Sequence, residues 1–157
     1  MSNFLYGRIV LNEVSRSKKI RIEQYLQGYP SNGMFALRLI ETLPMIKTYD
    51  DINFIISDNH SVDYCEHFLE PLIYKDGEPL LDDLIENLKM LETLLLGLKN
   101  YNSVKKIEFR FSCPEAEEEE YSLLKTSVTD FKKNLLNQYL TTTDFPTLKI
   151  VVSLLLD

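Results

Sequence analysis

The sequence predicts an α+β fold: a two-layer α/β sandwich with a mixed, mostly antiparallel sheet and two long helices on one face. Three observations support it. An alternating apolar and polar segment opens the chain and an apolar run closes it, two long segments carry apolar residues at helical spacing, and a further alternating segment has a polar side. Since 157 residues suffice for one buried core but not for two, we expect a single domain, 1–157.

The first strand is predicted over residues 4–11. Leu5 and Ile9 fall on one face of this segment, and Tyr6 and Arg8 fall on the other. The alternation is typical of a strand with one buried side.

The next segment, residues 20–26, fits two structures. Its two isoleucines alternate as in a strand, whereas Ile22, Tyr25 and Leu26 also fit one helix face. We favour a strand here, joined to another over residues 34–43 by a turn rich in Gly, Pro and Asn.

Two more short strands are predicted before the first long helix. They cover residues 52–56 and 67–74, with a polar loop over 57–63 between them. Pro71 restricts the second to a sheet edge, because proline cannot donate a ladder hydrogen bond.

The first long helix is predicted over residues 79–99. Other apolar residues widen its leucine stripe beyond a coiled-coil seam, so a core helix in a monomer is favoured over a dimer interface. The stripe consists of Leu81, Leu84, Leu88, Leu91, Leu95 and Leu98.

The C-terminal part is predicted as a strand over 104–111, a second long helix over 114–140 and a last strand over 148–156. The unbroken apolar run of the last strand indicates a central position in the sheet. The polar positions of the 104–111 strand predict a solvated sheet face shared with Arg8, formed by Lys106, Glu108 and Arg110.

Composition excludes several functions. None of the five glycines forms a Gly-x-Gly pattern, which disfavours a phosphate-binding loop, and a net charge of −7 disfavours nucleic acid as a partner. No secretion signal or membrane-spanning run is present, and two isolated cysteines suit free thiols, so a cytoplasmic location is expected. No cofactor is predicted.

Charge is distributed unevenly. Residues 1–49 carry seven Lys/Arg and three Asp/Glu, residues 50–92 carry two and twelve, and residues 93–157 carry eight and nine. A segment with a net charge of −10 is typical of a surface that docks a basic partner.

The candidate partner-binding residues are acidic and lie before or near the start of the two predicted long helices: Asp76, Glu78, Asp82, Asp83, Glu86, Glu115, Glu117, Glu118, Glu119 and Glu120. The alternative is structural, since carboxylates at a helix start interact favourably with its dipole. Five glutamates in the second group exceed what one dipole needs.

A second cluster, within residues 58–67, contains side-chain types that bind metals: Asp58, His60, Asp63, Cys65 and His67. Its spacing matches no zinc motif, and a histidine two positions from a cysteine rarely activates the thiol. A polar loop is therefore favoured, and neither a metal site nor a catalytic residue is predicted.

In size, acidity and lack of catalytic residues, the chain resembles bacterial immunity proteins of contact-dependent inhibition and related polymorphic toxin systems. This resemblance implies a small cytosolic α/β protein without enzymatic activity that covers the active site of a toxin domain, often a basic nuclease. It would place the toxin-facing surface at 50–92 and 115–120.

The alternative is a type III secretion chaperone. Resemblance to that class would imply a dimer whose chains begin with a helix, whereas this chain is predicted to begin with a strand. A small metal-dependent enzyme is the remaining alternative.

Overall fold

A computed structural model describes residues 4–11, 16–28, 35–40, 51–59, 61–66, 78–101, 103–112, 122–141 and 148–153. The elements, in chain order, are β1 (Phe4–Leu11), α1 (Arg16–Gln27), β2 (Ala36–Ile40), β3 (Asp51–Ser57), α2 (Glu78–Leu98), β4 (Val104–Ser112), β5 (Ser122–Ser127), α3 (Phe131–Thr141) and β6 (Leu148–Ser153).

The predicted α+β fold is confirmed. Within the described ranges, six strands form one sheet in the order β2-β3-β1-β4-β6-β5, in which only the β5–β6 pair is parallel. β6, predicted to be central, is an interior strand that lies next to the edge strand β5. The prediction of two long helices is met only by α2, which has 21 residues against 12 for α1 and 11 for α3.

One face of the sheet carries the hydrophobic core. Strand register places Ile9 between Ile52 and Ile107, and Gly7 between Phe54 and Phe109. The three described helices pack on this face, where their buried side chains join one cluster with those of the strands: Ile22, Leu26, Leu84, Leu88, Leu91, Leu94, Leu95, Leu98, Phe131 and Leu135.

The strand predicted over residues 20–26 is wrong, because this segment belongs to α1. Ile22 and Leu26, one helical turn apart, are both fully buried. Ile20, which a strand would bury beside Ile22, is 42% exposed. The helical pattern therefore prevails over the alternation.

The helix predicted over residues 114–140 is also wrong. Residues 122–127 form β5, in which Leu124 pairs with Ile150 of β6, and α3 begins only at Phe131. A turn separates the two elements, with the backbone N–H of Asp130 donating to Oγ of Ser127 at 3.2 Å. The apolar residues of β5 and α3 together fit a single helical spacing, so the two elements were predicted as one helix.

The remaining strand predictions have mixed outcomes. The strand predicted over 34–43 is observed as the shorter β2, and those over 52–56, 104–111 and 148–156 are observed as β3, β4 and β6. The strand predicted over 67–74 lies outside the described residues. In the described part of the chain, none of the helices has the length and apolar character needed to cross a membrane.

Candidate acidic interface

Helix α2 is fixed to the core by its leucines. Leu84, Leu88, Leu91, Leu95 and Leu98 are each at most 2% exposed. From Leu84 onward the leucine stripe is thus buried within the chain, as a core helix requires, and the opposite side of α2 faces outward.

The outward side of α2 forms a continuous exposed stripe at spacings of three and four residues. We call it the exposed face of α2, and it consists of Asp82, Asp83, Glu86, Lys89, Thr93 and Leu96. Its N-terminal half is acidic. Its C-terminal half ends in Leu96, whose side chain is 53% exposed.

The acids of this face differ in their partners. Glu86 pairs with Lys89 at 3.1 Å, with both side chains more than half exposed. Asp82 and Asp83 form no side-chain hydrogen bond or ion pair with any residue in the described ranges. Two adjacent carboxylates are therefore left facing solvent.

The helix dipole accounts poorly for these two aspartates. α2 begins at Glu78, which places Asp82 and Asp83 in its second turn. The favourable interaction of a carboxylate with a helix dipole falls off within the first turn. A favourable interaction with the helix dipole therefore does not explain the positions of Asp82 and Asp83.

Two other acids of the 50–92 segment are internal. Asp51 is 6% exposed and forms an ion pair with Arg8. Asp58 is 8% exposed, and its Oδ2 accepts a hydrogen bond from the backbone N–H of Glu66 at 2.9 Å. The expectation that the whole segment faces a partner is wrong at these positions, because both carboxylates stabilise the fold.

Two further acids of this segment have cationic partners. Asp63 pairs with Arg38 at the surface, and Glu92 of α2 pairs with Lys132 of α3 at 3.8 Å. The net charge of −10 is therefore partly neutralised by residues outside the segment, and the described acidic surface narrows to the start of the exposed face of α2.

The other candidate positions lie elsewhere. Asp76 and the glutamates Glu115, Glu117, Glu118, Glu119 and Glu120 lie outside the described residues, as does the side chain of Glu78. The continuous helix over 114–140, at whose start this glutamate run was predicted, is interrupted by β5.

The loop after β3 has structural hydrogen bonds. Oγ of Ser57 donates to the carbonyl oxygen of Asn59 at 2.8 Å, and Oδ1 of Asn59 accepts from the N–H of Ser61 at 2.7 Å. Cys65 is fully buried. Among the residues described, no three His, Cys, Asp or Glu side chains are grouped to hold a metal ion. His60 and His67 lie outside those residues.

The polar sheet face differs from its prediction. Arg8, Lys106, Glu108 and Arg110 do lie on the side opposite the three helices, but Glu108 and Arg110 are each only 4% exposed. The prediction of a solvated sheet face is therefore wrong at Glu108 and Arg110, whereas Arg8 and Lys106 are partly exposed.

Ion pairing, mainly across neighbouring strands, explains how the charges of Asp51 and Glu108 can be buried. Nη1 of Arg8 contacts Oε2 of Glu108 at 3.1 Å, its Nε contacts Oδ2 of Asp51, and Nζ of Lys106 lies 3.8 Å from Oε1 of Glu108. Buried charges are tolerated when they are paired and hydrogen-bonded. The alternation in the sequence predicted which residues share this face of the sheet, but it did not predict the ion pairs among them.

Comparison with protein-family models, curated proteins and solved structures finds no match to this chain.

Proposed function

We propose that this chain is a non-enzymatic binding protein that recognises a basic protein through the exposed face of α2, and that its role is that of an immunity protein neutralising a toxin domain. The observation that carries the proposal is the pair Asp82 and Asp83. Both are exposed, lie beyond the reach of the first-turn dipole effect, and have no partner among the described residues.

Such a pair is suited to a partner with positive charge. Adjacent carboxylates repel each other in the free protein, and cations of a partner would relieve that repulsion. Opposed charges also speed association, with rates up to about 10⁸–10⁹ M⁻¹s⁻¹ at low salt. An inhibitor of a toxin benefits from this speed, because it must bind before damage occurs.

The same face offers an apolar contact. Leu96 lies on it and is 53% exposed, whereas the other leucines of α2 from Leu84 onward are buried. Interfaces commonly combine an apolar contact with a polar rim. We infer that the acidic half steers the partner and that Leu96 is covered in the complex.

The distribution of apolar surface favours this role over a secretion chaperone. The large exposed apolar side chains in the described ranges lie on separate segments: Ile20 on α1, Tyr64 in the loop after β3, Leu96 on α2 and Leu123 on β5. A chaperone for an unfolded segment needs a continuous apolar groove. We place the protein in the cytoplasm, as a monomer before it binds and without a cofactor.

The experiment uses the product of the gene directly preceding this one, since an immunity gene should follow its toxin gene. The C-terminal domain of that product is expressed in cells with and without this chain, and its binding is then measured by stopped-flow and calorimetry. We expect protection of the cells and tight binding. Unprotected cells or an absence of binding would contradict the immunity role.

Two matched variants test the surface. Asp82→Asn with Asp83→Asn removes two charges from the exposed face of α2, and Asp63→Asn with Asp130→Asn removes two from other exposed positions. We expect the first variant to associate about tenfold more slowly at low salt, with a smaller difference at high salt. Equal effects of the two variants would show that only net charge matters.

A further inference from the structure

A cavity of about 330 Å³ lies at one end of the sheet, where β2 ends and β3 begins. Residues of these two strands and of α1 line it. Its apolar lining is formed by Leu39, Ile40 and Ile52, and the other described lining residues are polar or charged. This size, with an apolar wall and a few polar groups, is typical of a site for a small molecule.

Asn53 is the strongest sign of a ligand at this cavity. It lines the cavity, is 4% exposed, and its Oδ1 is buried without a hydrogen-bond partner in the described structure. Arg8, which lies opposite Asn53 on β1, pairs with two carboxylates instead. Ile40, which lies opposite it on β2, has no polar side-chain atom. A buried acceptor without a donor is unfavourable, so a ligand that donates to Asn53 would remove this cost.

Glu23 of α1 is a second acceptor at the cavity. Its side chain is partly buried and forms no hydrogen bond or ion pair with any residue in the described ranges. Lys19 lies one helical turn earlier and lines the same cavity, yet the two side chains do not pair with each other. A carboxylate and an ammonium group arranged in this way can each bind the opposite charge of one ligand.

We propose that this cavity binds a free aliphatic amino acid. The ammonium group of the ligand has three donors, which match the acceptors of Asn53 and Glu23. Its carboxylate pairs with Lys19, and its aliphatic side chain covers the apolar wall. Asp51 also lines the cavity, but its charge is balanced by Arg8, so a zwitterion matches the remaining charges. The site does not involve the exposed face of α2, and its failure would leave the proposed function untouched.

Calorimetry with L-leucine on the full chain tests the site. Isopentylamine, which lacks the carboxylate, and isocaproate, which lacks the ammonium group, are compared at the same ionic strength. We expect saturable binding of one leucine per chain, and binding of each analogue at least about tenfold more weakly, because each loses charge-assisted hydrogen bonds. An absence of leucine binding, or equal binding of either analogue, would overturn the proposal.

Three variants assign the two ends of the ligand. Asn53→Ala and Glu23→Gln should each weaken leucine binding about tenfold, and Glu23→Gln should leave isocaproate unaffected. Lys19→Gln should weaken leucine binding by a similar factor and leave isopentylamine unaffected. The last two variants change partly exposed positions, so they keep the test informative if Asn53→Ala fails to fold.

Lys18→Gln is the matched control for Lys19→Gln. Lys18 is the preceding residue of α1, is exposed and does not line this cavity. Its replacement should leave the affinity for leucine within about twofold, as expected for an exposed charge. Equal losses in the two lysine variants would overturn the proposal, because they would show an effect of net charge alone.

Discussion

The ring of Phe54 lies directly against the backbone of Gly7, so that a Cβ atom placed on Gly7 would come within 2.0 Å of Cζ of Phe54. The two residues are opposite each other on β3 and β1. Phe54 is fully buried, and its ring also makes an edge contact with Phe109, with centroids 6.4 Å apart. The bare backbone of Gly7 thus makes room for aromatic packing at the centre of the sheet.

Gly7→Ala should therefore lower the free energy of unfolding by about 3 kcal/mol, because overpacking a core forces neighbouring side chains from their positions. Urea denaturation followed by circular dichroism measures the loss. Gly28→Ala is the matched control, since the nearest atoms to its added Cβ are 3.8 Å away. Equal stability of the two variants would show that the ring of Phe54 moves aside at little cost.

A second glycine contact joins two helices. A Cβ on Gly97 of α2 would lie 1.9 Å from the hydroxyl oxygen of Tyr25 of α1, which donates a hydrogen bond to the carbonyl oxygen of Leu94 at 3.3 Å. Gly97→Ala should destabilise the protein although alanine favours helices by about 1 kcal/mol. In a Tyr25→Ala background, the same change should stabilise it by about that amount. A double-mutant cycle in urea tests this, and additive effects would show that the contact is absent.

The sequence predicted an element correctly where its apolar pattern and its burial in the fold indicate the same secondary structure. The alternation of β1 and β4 and the leucine stripe of α2 each have one interpretation. α1 was mispredicted because Ile20 and Ile22 match a strand, and only packing shows that Leu26 is buried with Ile22 while Ile20 is exposed. β5 and α3 were merged because the spacing of Leu124, Val128 and Phe131 continues through a turn.

The candidate site was predictable only in part. The sequence located Asp82, Asp83 and Glu86, and the structure shows all three exposed. The sequence alone could not distinguish these exposed acids from the buried Asp51, because the partner of Asp51, Arg8, is 43 residues away in the sequence.

The buried ion pairs of the sheet should contribute strongly to stability. Arg8→Met leaves the carboxylates of Asp51 and Glu108, whose side chains are 3% and 5% exposed, without this guanidinium. We expect a loss of about 3–5 kcal/mol in the free energy of unfolding, and partial recovery when Glu108→Gln is added. Arg38→Met is the control, since its pair with Asp63 is exposed and should contribute at most about 1 kcal/mol. A similar loss in both variants would contradict this assignment.

The free protein should be a monomer of 18.3 kDa. From Leu84 onward, the leucine stripe that could have formed a coiled-coil seam is buried against the protein's own core, so these leucines offer no dimer surface. Light scattering on a size-exclusion column at micromolar concentration measures the mass. Twice the expected mass would contradict the prediction and would favour the chaperone alternative.

The aspartates proposed to bind a partner should be nearly irrelevant to folding. Asp82 and Asp83 are exposed, lie in the second turn of α2 and form no side-chain pair within the described residues. Replacing both by Asn should therefore change the free energy of unfolding by no more than about 0.5 kcal/mol, the usual range for surface substitutions. Any change should be towards greater stability at low salt, because the substitution removes repulsion between adjacent carboxylates. Urea denaturation at low and high salt measures both effects. A clear loss of stability at low salt would show instead that these carboxylates stabilise the helix, and the main support for an acidic docking surface would then be lost.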